Sequence, residues 1–297
     1  MKVKNIRVKI PIDNLRARKI KDKVFQHIFF ACIVFCLAFL AILIVGLLSK
    51  GLKYLNLKFL ASSPSLISAT NAGFYPAILG SFWILLLVAF ISVPIGVGSA
   101  IYLEQYLNKK SKWYHFLEVN ISNLAGVPAI VYGLLGLTLF SRIHGLRGTI
   151  LAGGVTLSLM ILPVIIVSSR ESIKAVPKIL IEAAYGLGMT KWQMIKAVII
   201  PYAAPGMLTG VILALSRALG ESAPLLVVGA AAMVTKDPSS IFSRYTAMPI
   251  QIFQWATNPK QEFQDLAASG IIVLLLFLLS ANAFAIILRN KYQKERG

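Results

Sequence analysis

The sequence predicts an all-α membrane protein with six transmembrane helices. Three observations predict it. Of 297 residues, 57% are hydrophobic and 14% are charged, where a soluble domain carries about 25% charged residues. Mean hydropathy is +0.76. Uncharged apolar runs recur at the length of a bilayer crossing, about 20 residues as helix. So apolar a surface needs lipid as its solvent, and in lipid a helix satisfies its own backbone hydrogen bonds.

The runs are Phe29–Leu48, Phe74–Leu103, Val119–Ser141, Gly148–Ser169, Ala197–Ser216 and Leu266–Leu288. The first follows a basic arm, residues 1–28, as a signal peptide would. At 20 uncharged residues it exceeds a signal core of about 7–15, and no small-x-small cleavage pattern follows. It is read as a retained helix. The arm itself, Lys-rich over residues 1–24 and without apolar period, is read as a flexible segment on anionic lipid. The second run is long enough to carry a lead-in before its helix, and Pro76 suits a helix start. Each of the six runs is read as one span. A seventh stretch, Ser222–Thr235, has 14 residues with Pro224 and Gly229 inside, too short to cross alone.

Charge orients the spans. The N-terminal arm, the loops 104–118 and 170–196 and the tail 289–297 together hold 21 Lys and Arg, and the three opposite loops hold eight. The positive-inside rule puts both termini in the cytoplasm. The net charge of +19 therefore belongs to membrane topology. No nucleic-acid-binding motif accompanies it, so nucleic acid is excluded as a partner.

Cys32 and Cys36 lie one turn apart in the first run and read as small hydrophobes. His27, His115 and His144 are scattered singly and form no metal site. There is no Walker A sequence, no G-x-S-x-G, no H-E-x-x-H and no C-x-x-C. The chain is not an enzyme by this reading. Any ATP it uses is hydrolysed by another chain.

The segment 170–201 carries the most information: RESIKAVPKILIEAAYGLGMTKWQMIKAVIIP. Pro177 suits a helix's first turn. Ile179, Leu180, Ala183 and Ala184 give that helix an apolar face. Gly186 and Gly188 end it in a left-handed turn. Thr190 and Gln193 form a capping box for a second helix, which Pro201 closes before the fifth span. A helix–glycine turn–helix in the cytoplasm is a shape that docks in a partner's groove.

The spacing Glu182-Ala183-Ala184, three residues, Gly188, nine residues, Val198, one residue, Ile200-Pro201 resembles the EAA loop of ABC importer permeases. Val198 and Ile200 are mild departures. The resemblance implies a type I importer permease fold over 74–288, with residues 177–201 as the loop that seats on an ATPase subunit.

The fifth span carries Gly206, Gly210, Ala214 and Ala218, four apart, a stripe that admits close packing by another helix. Arg217 and Glu221 follow, sharing a face. An arginine at bilayer depth costs at least about 2.5–3.5 kcal/mol on insertion scales, so such a residue faces a polar interior and marks a functional position. The bland alternative is an Arg217–Glu221 ion pair that only fixes packing. An arginine fork fits a tetrahedral oxyanion, and phosphate and sulfate are served equally. Arg170 is a second candidate for the substrate path, although Glu171 beside it and its place after the fourth span favour an ordinary surface role.

The run RALGESAPLLVVGA resembles the RAxGETAPLL signature of phosphate importer permeases of the PstA kind, with Ser222 keeping the hydroxyl of the usual Thr. The stretch Met248–Ala256 and the ending Ile287–Lys291 are similar to the same family. What this implies is a permease for inorganic phosphate in a prokaryotic cell membrane. The implied partners are a sister permease of the PstC kind, two ATPase subunits of the PstB kind that use ATP–Mg, an extracytoplasmic phosphate-binding protein, and the lipid bilayer. This chain would bind no cofactor itself. The rival readings are a sulfate or molybdate permease and a membrane regulator that senses phosphate without moving it.

Overall fold

The structure is a computed structural model that describes residues 15–65, 67–143, 146–230, 234 and 237–294. Among these the regular elements are helical, apart from one isolated antiparallel bridge between Thr149 and Arg244. The chain divides into two units, Met1–Ser49 and Lys50–Gly297.

The first unit is one helix, α1 (Leu15–Gly51, its last two residues in the second unit). It begins at Leu15 rather than at the first apolar residue, so residues 15–24 of the expected flexible arm are helical. Once a long apolar helix is nucleated, adding a turn of Arg and Lys, both good helix formers, costs little. Residues 1–14 lie outside the described residues.

The second unit holds α2 (Leu57–Ala61), α3 (Tyr75–Ile101), α4 (Lys112–Ala125), α5 (Ala129–Gly136), α6 (Ile150–Lys174), α7 (Lys178–Gly186), α8 (Lys191–Met194), α9 (Ile200–Gly220), α10 (Ala223–Val228), α11 (Met248–Ala256) and α12 (Gln261–Lys294). Pro76 sits in the first turn of α3, as read from the sequence. Among the described residues three segments have π geometry: Tyr102–Tyr106 after α3, Leu137–Ile143 after α5 and Ile195–Ile199 before α9.

Among the described residues five helices are long and apolar enough to cross a membrane: α1, α3, α6, the continuous helix 191–220 and α12. A first correction concerns the run Val119–Ser141, which is not one continuous helix: it falls in two helices, α4 and α5, bent by 101° at Gly126–Pro128, and they make a sixth crossing if the bent pair is one span. Pro128 has no N–H to donate and pushes Val127 out of helical geometry, so the helix cannot run through. Tyr132 OH braces the bend by donating to the Leu124 carbonyl at 2.8 Å.

A second correction concerns Pro201. It does not close a helix; α8, the π segment and α9 run on as one. Proline is tolerated because it falls in the first turn of α9, directly after the π segment has shifted the hydrogen-bond register. The described part of the stretch after α9 forms the short α10, ended by Gly229 at φ +99°.

Among the described residues three cores hold the second unit together. In the first, Ile84 and Val88 of α3 meet Leu157, Ile161 and Ile165 of α6 and Val211 of α9. The small-residue stripe works inside the chain: a Cβ on Gly206 or Gly210 would strike Ser172 or Ser168 of α6. The second core is aromatic, with Phe59, Phe74 and Trp255 mutually packed at 5.4–5.9 Å between ring centroids. The third joins the end of α3 (Ala100), the end of α6 (Ile173), Val176 just beyond it, Ala184 of α7 and Met194, Ile195 and Ile199.

Candidate functional site

The segment 177–201 forms the expected helix–turn–helix. Pro177 is the N-cap of α7. Only one of the two glycines has left-handed geometry: Gly188, at φ +76°, while Gly186 is the last residue of α7. The capping box is complete. The Thr190 amide donates to Gln193 Oε1 at 2.8 Å, and the Gln193 amide donates to Thr190 Oγ1 at 3.4 Å. Of the EAA residues, Ala184 is buried in the third core, whereas Glu182 and Ala183 are exposed. The outer face is apolar and open: Ile179 is 71% exposed, Leu187 78% and Trp192 59%.

Arg170 departs from the surface role expected of it. Helix α6 does not stop at Ser169 but continues to Lys174, which carries Arg170 inward to 4% exposure. Its Nε donates to Glu104 Oε1 at 2.9 Å, and its Nη2 donates to Glu118 Oε1 at 2.8 Å and to Tyr114 OH at 2.7 Å. Lys109 Nζ pairs with the second Glu104 oxygen at 2.7 Å. The neighbour Glu171 takes Lys174 instead, at 2.8 Å. Two cations therefore face two carboxylates at the junction of α3, α4 and α6. Breaking the buried Arg170–Glu104 pair costs about 3–5 kcal/mol, because it strands a charge. Reading the sequence missed Glu104, Tyr114 and Glu118. The signal was that both glutamates flank apolar runs, where they were read as mere boundaries.

Arg217 lies in the last turn of α9, about 25 Å along from Ile200 at 1.5 Å per residue. Its Nε is 3.3 Å from Glu221 Oε1, and its side chain remains 53% exposed. There the cation also complements the negative end of the helix dipole. Glu221 caps α9 in extended conformation, and α10 starts two residues later. The structure thus separates the residues singled out from the sequence into three places: the loop 177–201, the buried Arg170 cluster, and the Arg217–Glu221 turn between α9 and α10.

The family model of the binding-protein-dependent transport system inner membrane component matches residues 92–294. The chain belongs to that family. It is 32% identical over 288 residues to the probable ABC transporter permease protein YqgI of Bacillus subtilis, covering 90% of this chain and 95% of that one. It is 35% identical over 248 residues to the phosphate transport system permease protein PstA of Xylella fastidiosa, covering 82% and 85%. A solved bacterial ABC transporter involved in the import of alginate matches with TM-score 0.68 at 14% identity, over 94% of this chain and 99% of that chain; that likeness speaks for the fold. The permease is a multi-pass inner membrane protein and not an enzyme. Separate ATPase subunits hydrolyse the ATP, and a substrate-binding protein is the other partner its class implies.

Proposed function

We propose that the permease imports inorganic phosphate, with Arg217 and Glu221 beside the translocation path. Its partners on this reading are a PstC-like sister permease, two PstB-like ATPase subunits using ATP–Mg and an extracytoplasmic phosphate-binding protein. This chain binds no cofactor itself. Both termini and the 170–196 loop are cytoplasmic, which follows from the 21-to-8 basic asymmetry. The observation that carries the substrate is the run Arg217–Leu226, read together with relatives named as phosphate permeases at 31–35% identity. Arg217 adds chemistry to the resemblance. Its Nε engages Glu221, and its half-exposed guanidinium has the fork geometry that suits an oxyanion. The exposed face of α7 and the turn at Gly188 seat on an ATPase subunit, delivering its motion to the spans.

The test is ATP-driven uptake in vesicles holding the whole complex. Labelled phosphate is taken up, and a hundredfold excess of sulfate or molybdate leaves the rate unchanged. Uptake of sulfate in place of phosphate would overturn the substrate. ATP hydrolysis responsive to phosphate without uptake would make the chain a sensor.

A further inference from the structure

Arg170 is buried and ion-paired to two carboxylates, Glu104 and Glu118, and the transport path proposed above does not use it. Its Nε and Nη2 are taken by Glu104, Glu118 and Tyr114, and Lys109 balances the remaining Glu104 oxygen. Paired in this way, it offers little field to a passing anion. What it does is join three elements: α6, the π segment that ends α3, and α4.

The position of that joint matters. Pro177, where the loop begins, follows Arg170 by seven positions. Ile173, between them, packs in the third core with Ala184 of the loop and with Ala100 of α3. From the other arm of the loop, Lys191 Nζ lies 4.7 Å from the Tyr106 ring centroid, on the same π segment that carries Glu104. So the loop touches the joint through an apolar contact and a cation–π contact, and Arg170 is its ionic centre. π segments inside helices are frequent at functional sites.

Beyond the joint, α4 leads to the 101° bend, which Tyr132 OH braces against Leu124. Past the bend, α5 meets α10 so closely that a Cβ on Gly133 would lie 2.8 Å from Pro224 Cα. Pro224 is three residues from Glu221. The second unit therefore holds an unbroken packed route from the coupling loop to the Arg217–Glu221 turn, and Arg170 is where the route leaves α6.

We propose that Arg170 is a positioning residue for transport: it clamps α4 to α6 so that displacement of the 177–188 loop moves both as one body and reaches α10 through the bend at Gly126–Pro128. Without the clamp, the loop moves by flexing the exit of α6, and hydrolysis in the partner no longer reaches the turn at Arg217. Packed contiguity motivates the route; measured coupling decides it. The inference rests on the loop being the ATPase contact.

The experiment uses the complete complex in liposomes and measures phosphate import per ATP hydrolysed, alongside ATPase co-purification. Three variants are compared: Arg170→Gln; the neutral triple Arg170→Gln, Glu104→Gln, Glu118→Gln, which leaves no stranded charge; and Arg170→Lys. The triple variant keeps the ATPase subunits and hydrolyses ATP, and its import-to-hydrolysis ratio falls by about tenfold, within the range by which residues along a connecting network alter coupling. A wild-type ratio in the triple variant would overturn the assignment and leave the cluster a packing device. Should the triple variant not assemble, Arg170→Lys decides. A lowered ratio at wild-type assembly supports the clamp, and an unchanged ratio overturns it. Gly188→Asp in the same assay separates the two readings, since a failed loop contact appears there as lost ATPase association. Loss of the ATPase subunits from both Arg170→Gln and Arg170→Lys would overturn the clamp, because it predicts uncoupling with the contact intact.

Discussion

Arg170 Nε donates to Glu104 Oε1 at 2.9 Å across a sequence separation of 66 residues. The bond fixes the end of one spanning helix to the end of another, beside the 177–201 loop. It puts a buried ionic joint where residue order alone suggests a surface arginine.

Substitution at Gly188 disables coupling through backbone conformation. The residue has φ +76°, and apart from its chain neighbours no atom lies within 4 Å of where a Cβ would stand, so crowding is not the constraint. A β-branched residue is strained in that region and Asp tolerates it better, with a left-handed cost of roughly 1–2 kcal/mol. Gly188→Val therefore loses more ATPase association than Gly188→Asp, and Glu182→Lys loses it through charge reversal on the exposed face. All three chains insert normally. Wild-type co-purification and substrate-stimulated hydrolysis in the three would remove the loop from the mechanism.

Topology is checked by labelling. In a background with Cys32 and Cys36 replaced by Ser, single cysteines are placed at the exposed Lys110 and Asp237. An impermeant thiol reagent outside intact cells reaches Asp237→Cys and spares Lys110→Cys until the membrane is opened. The reverse pattern inverts the orientation and takes the loop away from the cytoplasm.

Arg217→Gln abolishes phosphate uptake while the complex still assembles. The single change leaves Glu221 without its 3.3 Å partner, so the double variant Arg217→Gln, Glu221→Gln is the control. A double variant that assembles and still fails to transport places Arg217 on the anion's path, where it supplies fixed positive potential. Transport near the wild-type rate in the double variant would reduce the pair to helix packing.

Two tryptophans separate stability from docking. Trp255 is fully buried against Phe59 and Phe74, and Trp255→Ala destabilises by about 3–5 kcal/mol, read as a lower unfolding temperature of the purified complex. Trp192 is 59% exposed beside the glycine turn. Trp192→Ala leaves the unfolding temperature unchanged and weakens ATPase association. Equal thermal effects of the two would contradict the division between core and docking face.

Class, span count and loop chemistry were legible in residue order alone. Run length, charge asymmetry and turn residues are quantities of neighbouring positions, and lipid or local hydrogen bonds enforce them without help from distant residues. That is why Pro76, the Thr190–Gln193 box and Gly188 take the roles their local chemistry suggests. Whatever depends on which helix lies beside which was settled only by packing. Packing turned the Gly206–Gly210 stripe onto α6 and set α5 against α10 where Gly133 meets Pro224. It also drew Glu104 and Glu118 to Arg170, in pairings that span 66 and 52 residues. No local periodicity encodes them, because the energy that selects them, the cost of an unpaired charge in a low dielectric, exists only once the helices have packed.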